Sequence, residues 1–412
     1  MARKMKDSGV EWIGEIPENW DVSKIKYELE CKDELREPIS AEKRERNNPQ
    51  YDYYGASGVI DKIDYYNVDD EVLLIGEDGA NLVMRNLPLI YKAKGKFWVN
   101  NHAHILKPYQ HNNYNYFSYL LETGDYINFI TGSAQPKLSQ SKLMSFYVLR
   151  VPIIEQQKIA DFLDEKVREI DSVIAKTKET IEDYKKYKQA IITDAVTKGL
   201  NSNVEMRDTG SEWIGKIPVH WDYVRMQRLF EIVDERNDDP NACLLSLYTS
   251  LGVKPRSELE EKGNKAATVM NYKIVKKDDV IVNKLLAWMG AIGYSDYEGV
   301  TSPDYDVYRA KEGAPVVKTY YNEYFRHTCF NGDCYKYGHG IMLMRWRTYP
   351  EELLRIKVPN PPLEEQKEIA EYLDEKCSEI DKLIAKKEEL LVDLEDYKKS
   401  LIYEYVTGKK EV

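Results

Sequence analysis

The strongest constraint on the fold of this chain is an internal repeat. Residues 7–21 and 208–222 agree at 10 of 15 positions without a gap, and both contain EWIG followed by Ile-Pro and Trp-Asp. A second pair, residues 155–176 and 365–386, agrees at 14 of 22 positions at an offset of 210. The stretches between these pairs show almost no identity. Because a period near 200 residues is too long for a solenoid repeat, the sequence predicts a tandem duplication of a whole domain module.

The second repeated segment of each copy is predicted to be one long helix. Pro152 and Pro362 stand at its start, where proline is tolerated, and no glycine follows before Gly199 and Gly408. Apolar positions recur at steps of three and four over about four heptads, the pattern of a coiled coil. The stripes are Val167, Ile170, Ile174, Thr177, Ile181, Tyr184, Lys188, Ile191 and Ala195 in the first copy, and Cys377, Ile380, Ile384, Lys387, Leu391, Leu394, Lys398, Leu401 and Tyr405 in the second. We expect the two helices to pair with each other, antiparallel; two amphipathic helices in separate cores are the alternative.

The two variable stretches carry the same order of patterns. KIDYYNVDDEVLLIG (62–76) and KIVKKDDVIVNKLL (273–286) each place an apolar, β-rich run after an acidic turn, and a glycine-containing loop follows each run. Farther along, GSAQPKL (132–138) and YGHGIMLMRWR (337–347) both precede the long helices. The sequence therefore predicts a mixed α/β fold, used twice, with different polar groups on the same skeleton.

Composition bears on location and on charge. No apolar run reaches the roughly 18 residues of a membrane span, and MARKMKDSG does not resemble a signal peptide. Five cysteines, an odd number without disulfide-like spacing, favour a reducing cytoplasm. The net charge is −11, but residues 359–412 alone carry −6, so basic surfaces elsewhere remain compatible with the composition.

A long acid-free run provides the first candidates for a binding surface. Residues 79–121 contain no acidic side chain, although the chain has 70 acids among 412 residues. Lysine and arginine neutralise phosphates, whereas asparagine and histidine offer donors and acceptors to base edges. The candidates in and after the run are Arg85, Lys92, Lys94, Lys96, Asn100, Asn101, His102, His104 and Lys137. A loop that avoids acids only for packing reasons is the alternative interpretation.

The second half of the chain has a shorter set of candidates. They lie at the positions that correspond to the first set by order of pattern rather than by identity: Lys284, Ser302, Tyr305, Lys336, His339, Arg345 and Arg347. Structural roles for individual members of this set are an equally open interpretation.

Five motifs resemble a known family. EWIGEIPENW, EWIGKIPVHW, EQQKIADFLDEK, EEQKEIAEYLDEK and GSAQPKLS resemble the specificity subunit of type I restriction–modification enzymes, and the resemblance covers essentially the whole chain. It implies two target-recognition domains held apart by two helices that form an intramolecular antiparallel coiled coil with pseudo-twofold symmetry. The implied boundaries are 1–151 for the first recognition domain, 152–200 for the first helix, 201–360 for the second domain and 361–412 for the second helix.

The resemblance also implies partners. Each recognition domain would read one half of a split double-stranded DNA sequence. Two methyltransferase subunits would dock at the helical region, and restriction subunits with translocase activity would join through them. S-adenosylmethionine, ATP and Mg²⁺ would be used by these partners, so no cofactor is expected of this chain.

Three motifs look like catalytic or metal sites. NPPL at 360–363 is similar to the motif with which amino-methyltransferases hold a flipped adenine, but Leu363 replaces the stacking aromatic residue. SPDYD at 302–306 contains the Pro-Asp of many nucleases without a following acidic-x-Lys. Two histidines and two cysteines fall within 13 residues, in a spacing that fits no common zinc finger: His327, Cys329, Cys334 and His339. We therefore expect a chain without catalytic residues and without a metal site.

Two other functional classes compete with DNA binding. A coiled-coil scaffold whose globular domains bind protein or glycan would have the same layout, although the acid-free run argues against it. A self-sufficient methyltransferase or nuclease would need motifs that this sequence lacks.

Overall fold

The computed structural model describes residues 3–44, 46–132, 134–249, 251–258, 268–341 and 346–412. The chain divides into two compact units: unit 1 comprises Met1–Lys178 and Glu389–Val412, and unit 2 comprises Glu179–Glu388. Each unit takes one globular segment together with part of each long helix. The domain boundaries predicted from the sequence divide the chain into consecutive segments, whereas each of these units combines segments that are separate along the chain.

The first half of the chain is described by ten strands and five helices. The strands are β1 (Met5–Asp7), β2 (Glu15–Pro17), β3 (Asp21–Lys24), β4 (Leu29–Cys31), β5 (Tyr51–Gly55), β6 (Gly58–Ile63), β7 (Val68–Gly76), β8 (Ile90–Val99), β9 (Ala103–Pro108) and β10 (Tyr147–Arg150). The helices are α1 (Ile25–Glu28), α2 (Asn81–Met84), α3 (Tyr114–Thr123), α4 (Gln140–Ser145) and α5 (Ile153–Lys198).

The second half repeats the layout with shorter strands. The strands are β11 (Met206–Asp208), β12 (Lys216–Pro218), β13 (Asp222–Arg225), β14 (Phe230–Val233), β15 (Leu245–Tyr248), β16 (Gly252–Pro255), β17 (Lys273–Val275), β18 (Val280–Asn283), β19 (Ile292–Tyr294), β20 (Gly299–Thr301), β21 (Tyr305–Ala310) and β22 (Lys357–Asn360). The helices are α6 (Lys318–Arg326), α7 (Thr328–Tyr337), α8 (Pro350–Arg355) and α9 (Leu363–Val406). No helix among the residues described is both long and apolar enough to cross a bilayer.

The main sheets of the two units share their strand order. Unit 1 has a six-stranded sheet in the order β4-β9-β7-β8-β5-β6, and unit 2 has a four-stranded sheet in the order β14-β21-β18-β19. The first four strands therefore correspond one to one, and every neighbouring pair among them is antiparallel. The predicted mixed α/β fold, used twice, is confirmed.

The central strand β7 is buried on both faces. Leu73 and Ile75 face a core that also contains α3 and the long helices, whereas Val72 and Leu74 belong to a second core on the opposite side. Successive strand residues point to opposite faces, so a strand covered on both sides reads as the continuous apolar run VLLI rather than as an alternation.

The long helices pair antiparallel in each unit. In unit 1 the ring of Phe162 lies 4.5 Å from that of Tyr405, and Lys398 donates to Asp171 at 2.7 Å. The residue numbers of the partners on α9 therefore fall as those on α5 rise, which is the order of an antiparallel pair. In unit 2, Lys188 bonds Asp381 at 2.6 Å. The predicted stripe is the buried side of the pair, with Ile170, Ile174, Thr177, Ile181, Ile380 and Leu401 each less than 9% exposed.

A repeated glutamine ties each long helix to its globular segment. The side-chain oxygen of Gln156 accepts the N–H of Asn113 at 2.7 Å, and that of Gln366 accepts the N–H of Val317 at 2.8 Å. Asn113 and Val317 are the residues just before α3 and α6. Both glutamines are fully buried, and a buried amide needs hydrogen-bond partners. The same requirement in both units accounts for the presence of this glutamine in both copies of the motif.

The repeated EWIG phrases enclose the ends of the long helices. In unit 1, Gly408 follows α9 with φ +74°, and a Cβ there would lie 2.6 Å from Pro17 and 2.8 Å from Trp20. In unit 2, Gly199 follows α5 with the same φ, and its Cβ would lie 3.1 Å from Trp221. Each helix therefore ends in a left-handed glycine because only glycine both adopts that turn and fits against the repeated tryptophan.

Candidate nucleic-acid interface

Three loops of unit 1 meet at one edge of its main sheet. The N–H of Glu77, just after β7, donates to the carbonyl of His102 in the β8–β9 turn at 2.8 Å. The carbonyl of Glu77 in turn accepts the N–H of Leu138, in the loop before α4, at 2.7 Å. Asn101, His102 and Lys137 are thereby brought together, and all three are exposed.

Carboxylates contact Lys137 and His102 at this edge. Lys137 lies 3.0 Å from Glu77, and the Nδ1 atom of His102 lies 2.8 Å from Asp78. Burial alone would raise the pKa of Glu77, but hydrogen bonds from Arg36 and Lys137 lower that pKa below its usual value. The charged carboxylate therefore fixes Lys137 at the rim, where its side chain is still 54% exposed.

Asn100 and His104 build this edge from the inside. The side-chain oxygen of Asn100 accepts the N–H of His102 at 2.8 Å, and Asn100 itself is buried. His104 is fully buried, with its Nδ1 atom 2.6 Å from Asp33 and its Nε2 atom 2.8 Å from the carbonyl of Leu138. Both ring nitrogens are occupied, so in this conformation His104 offers no free group to a ligand, contrary to the role expected for it.

The remaining candidates of the acid-free run lie away from this edge. Lys92 contacts Asp164 at 3.7 Å, and Lys94 contacts Glu71 at 3.3 Å. Lys96 lies 4.6 Å above the ring of Tyr66 and pairs in register with Asp69. The acids absent from the run are thus supplied by β7 and by α5. The face of β8 that carries these lysines is charge-balanced rather than strongly basic.

Arg85 supports a helix end. It adopts a left-handed conformation with φ +53°, and its guanidinium donates to the carbonyl of Gly124 at 3.0 Å and to the carbonyl of Glu122. These carbonyls end α3, where the helix leaves acceptors unsatisfied and favours a cation. The contacts give Arg85 a structural role whether or not it also meets a ligand.

Unit 2 has the corresponding edge with different side chains. The carbonyl of Lys284, just after β18, accepts the N–H of Thr348 at 3.0 Å, as that of Glu77 accepts Leu138 in unit 1. His339 and Arg347 exchange two backbone hydrogen bonds at 2.9 and 3.0 Å. The side chain of Lys284 lies 3.5 Å from the buried Asp306. The loop before α4 in unit 1 and the loop before α8 in unit 2 are therefore each fixed against the residue after the central strand.

Ser302 and Tyr305 lie beside this edge of unit 2. Tyr305 opens β21 and pairs in register with Asn283, the residue before Lys284. The side-chain hydroxyl of Ser302 accepts the N–H of Asp304 at 3.3 Å, and its backbone carbonyl accepts the N–H of Tyr305 at 3.0 Å. The partly exposed hydroxyl of Ser302 remains able to donate.

Two cations of unit 2 are exposed without acidic partners. Neither Lys336 nor Arg347 has a carboxylate within 4 Å among the residues that the structure describes. Beside them, Tyr335 stacks on Trp346 at 5.2 Å, and the ring of His339 lies 5.1 Å from Tyr349. Arg345 lies outside the described residues. The aromatic members of this surface were not predicted from the sequence, although the tryptophan between two arginines in RWR (345–347) was an available indication.

The catalytic look-alikes occupy structural positions. The side-chain oxygen of Asn360, the first residue of NPPL, accepts from the hydroxyl of Tyr321 at 3.0 Å and from Gln366 at 3.2 Å. Asp306 of SPDYD forms a buried pair with Lys273 at 2.8 Å. His327 contacts Thr193 at 2.8 Å, and burial raises the pKa of Cys329 to about 11. Within the described ranges, no three histidine, cysteine or acidic side chains are grouped as a metal site.

Comparisons with known proteins show what the chain is similar to. Residues 17–183 match the type I restriction modification DNA specificity domain. A putative type I restriction enzyme MjaX specificity subunit of Methanocaldococcus jannaschii is 24% identical over 97% of this chain and 96% of its own. Residues 17–183 therefore carry this specificity domain, and the chain resembles a type I specificity subunit over nearly its whole length. The putative specificity subunit S.HindORF215P of Haemophilus influenzae is 31% identical over 129 residues, which are 31% of this chain and only 32% of that protein.

Solved structures share the fold of this chain. A chain from work described as the structural basis of complex assembly and conformational transition of the type I R-M system aligns with a TM-score of 0.68. It is 12% identical, and the alignment covers 96% of this chain and 99% of that one. The HsdS subunit from Thermoanaerobacter tengcongensis aligns with a TM-score of 0.53 at 12% identity, over 96% of this chain and 98% of its own.

Proposed function

We propose that this chain is a type I specificity subunit that binds double-stranded DNA and recognises a target in two parts, one half read by each unit. It acts without catalysis of its own and directs the methyltransferase and restriction subunits of a type I system to that target. These partners carry out the chemistry with S-adenosylmethionine, ATP and Mg²⁺, and the assembly works in the cytoplasm.

One observation carries the proposal. The two units repeat the same four strands, and in each the loop before the short helix α4 or α8 is bonded to the residue after the central strand. That residue is Glu77 in unit 1 and Lys284 in unit 2, and the side chains around it also differ. A preserved scaffold with altered polar groups at one edge is what reading two different base sequences requires, because sequence is read by side chains at base edges.

The proposed contacts follow from exposure. In unit 1 they are made by Asn101, His102 and Lys137, while Asn100 and His104 hold the loop that presents them. In unit 2 they are made by Lys336, His339 and Arg347, with Ser302, Tyr305 and Lys284 at the side. Lysine and arginine at the rim neutralise phosphates, and the polar side chains offer hydrogen bonds to bases.

The partner arrangement rests on the duplicated helical region. Both units contain a stretch of paired α5 and α9 with charged, exposed outer faces. Two similar surfaces on one chain suit two copies of one partner. We therefore infer two methyltransferase subunits for each chain, with the restriction subunits bound through them.

A binding experiment separates DNA recognition from the scaffold alternative. The full chain with its methyltransferase subunits is tested by gel shift on random duplex DNA at low and at high salt. We expect binding that weakens steeply with salt. Binding that is absent even at low salt would favour a scaffold for protein or glycan.

A matched pair of double variants locates the interface. Lys336→Ala with Arg347→Ala removes two cations at the proposed edge of unit 2. Lys277→Ala with Lys311→Ala removes two exposed cations where β18 begins and β21 ends, at the opposite edge of the sheet. The first pair is expected to weaken DNA binding and the second to leave it unchanged. Equal effects would mean that this edge is not the interface.

A further inference from the structure

Both units place a methionine at the same point of the fold. In unit 1 the central strand β7 is followed by α2, which ends at Met84 before the left-handed Arg85 at φ +53°. In unit 2, β18 is followed by a 3-10 turn that ends at Met289 before the left-handed Gly290 at φ +87°. Each methionine is therefore the last residue of the helical turn after the central strand, although the loop sequences are otherwise unrelated.

Neither methionine contributes to a core. Met84 is 65% exposed and Met289 is 53% exposed. Other exposed apolar side chains surround them, namely Val83 and Leu87 in unit 1 and Leu286 in unit 2. The residues of each turn that do pack inward are Leu82 and Ala287. A single exposed apolar residue needs no explanation, but a repeated group at one position of a duplicated fold indicates a binding role.

Each exposed group adjoins the edge proposed to meet DNA. In unit 1 the N–H of Gly79, just before α2, donates to the carbonyl of Pro136 at 3.0 Å, next to Lys137. In unit 2 the ring of Trp288 lies 6.0 Å from that of Tyr335, next to Lys336. The apolar side chains thus lie close to cations, an arrangement that suits a ligand with charged phosphates outside and apolar base surfaces inside.

We propose that Met84 and Met289 make apolar contacts with the bases of the two half-sites, one in each unit. This inference rests on the proposed function and adds to it: recognition combines apolar contact from a flexible thioether side chain with the polar contacts of the rim. Methionine suits this role because its unbranched side chain adapts to irregular apolar surfaces.

Oxidation footprinting tests the contact in the unaltered protein. The full chain with its methyltransferase subunits is treated with hydrogen peroxide, with and without a duplex that contains the target found by methylation mapping, and sulfoxides are quantified by mass spectrometry. We expect the duplex to slow oxidation of Met84 and Met289 severalfold. Met270, which is 42% exposed in another loop of unit 2, is the internal control and should react at an unchanged rate.

Two outcomes would overturn the inference while leaving DNA recognition intact. One is equal oxidation with and without a duplex that is shown by gel shift to be bound. The other is slower oxidation of both methionines when the methyltransferase subunits are added to the chain without DNA, which would assign the methionines to a protein interface. A duplex that does not bind at all would instead contradict the proposed function itself.

Substitutions provide the second measurement. Met84→Gln and Met289→Gln keep the length of exposed side chains but add a polar amide, and each is expected to weaken target binding by about tenfold. Affinity for unrelated duplex DNA should be unchanged, because phosphate contacts remain. Met270→Gln is the matched control. Target affinity that survives both substitutions would contradict the proposal.

Discussion

Replacing Asp333 by asparagine should stabilise unit 2 at neutral pH. Asp333 lies in α7 with only 4% of its surface exposed, and its carboxylate accepts the hydroxyl of Ser211 at 3.2 and 3.5 Å. Ser211 belongs to the repeated EWIG phrase, where the first copy has Val10. Burial raises the pKa of Asp333 from 3.8 to about 6, against the opposing effects of Ser211 and Lys336.

The sign of the effect follows from this raised pKa. A carboxyl with a higher pKa in the folded chain contributes stability that is fully present below pH 3.8 and is lost as the pH rises through about 6. The loss approaches about 3 kcal/mol well above that range, and about 2 kcal/mol of it falls between pH 4.5 and 7.5. An uncharged Asp333→Asn side chain avoids that loss, so its benefit should be large at pH 7.5 and small at pH 4.5.

Hydrogen exchange of the backbone amides in peptides from α7 measures the local stability of this helix. Wild-type and variant chains are compared at the same pH, which cancels the intrinsic pH dependence of exchange. A gain of about 2 kcal/mol slows exchange through local opening by roughly 30-fold. Ser211→Ala is the matched control: it removes a hydroxyl that favours the charged carboxylate, so it should destabilise α7 more at pH 7.5 than at pH 4.5.

The reasoning would be refuted by an Asp333→Asn variant whose exchange is unchanged or faster at pH 7.5. It would equally be refuted by a stabilisation of the same size at both pH values, since a titrating carboxylate cannot produce one.

Two further predictions concern the lysines of β8 and the repeated glutamines. Alanine at Lys92, Lys94 and Lys96 together should leave the salt slope of DNA binding nearly unchanged in a salt titration, because these side chains contact Asp164, Glu71 and Tyr66 away from the proposed interface. A slope lower by up to ~0.9 for each phosphate interaction removed would instead show that they bind DNA, as the sequence predicts. Gln156→Leu should leave the N–H of Asn113 without its partner and lower the free energy of unfolding, measured with urea, by about 1–3 kcal/mol. Gln366→Leu should have the same effect because it removes the partner of the Val317 N–H. A destabilisation by only one of the two variants would contradict the equivalence of the two glutamines.

The long helices and the duplication were predictable because their determinants are local. Pro152 and Pro362 precede the first helical residues, Gly199 and Gly408 follow the last turns, and the stripe between them repeats at helical spacing. The repeated motifs of unusual composition then indicated that the same structural junction occurs in both halves of the chain. What the sequence could not show is that Gln156 bonds Asn113, because that contact joins residues 43 apart.

The binding edge was only partly predictable, because ion-pair partners on neighbouring strands decide which of its cations are free to bind a ligand. The acid-free run looked basic along the chain, yet Lys94 is paired with Glu71 on the neighbouring strand. His104 looked like a base reader, but strand alternation turns it inward, to Asp33. Lys336 and Arg347, in contrast, are exposed and form no ion pair with a carboxylate in the described part of unit 2, although Lys336 shares α7 with the buried Asp333. Such pairing depends on register, which a single sequence does not reveal.

Methylation mapping tests the central claim most directly. A genome that carries this chain with its partner subunits is sequenced for methylated positions, and the unaltered chain is compared with a variant in which Lys336→Ala and Arg347→Ala are combined with His339→Ala. We expect a target in two parts for the unaltered chain. In the variant, only one part should be lost or relaxed, because unit 1 is untouched. A single continuous target, or equal change in both parts, would contradict it.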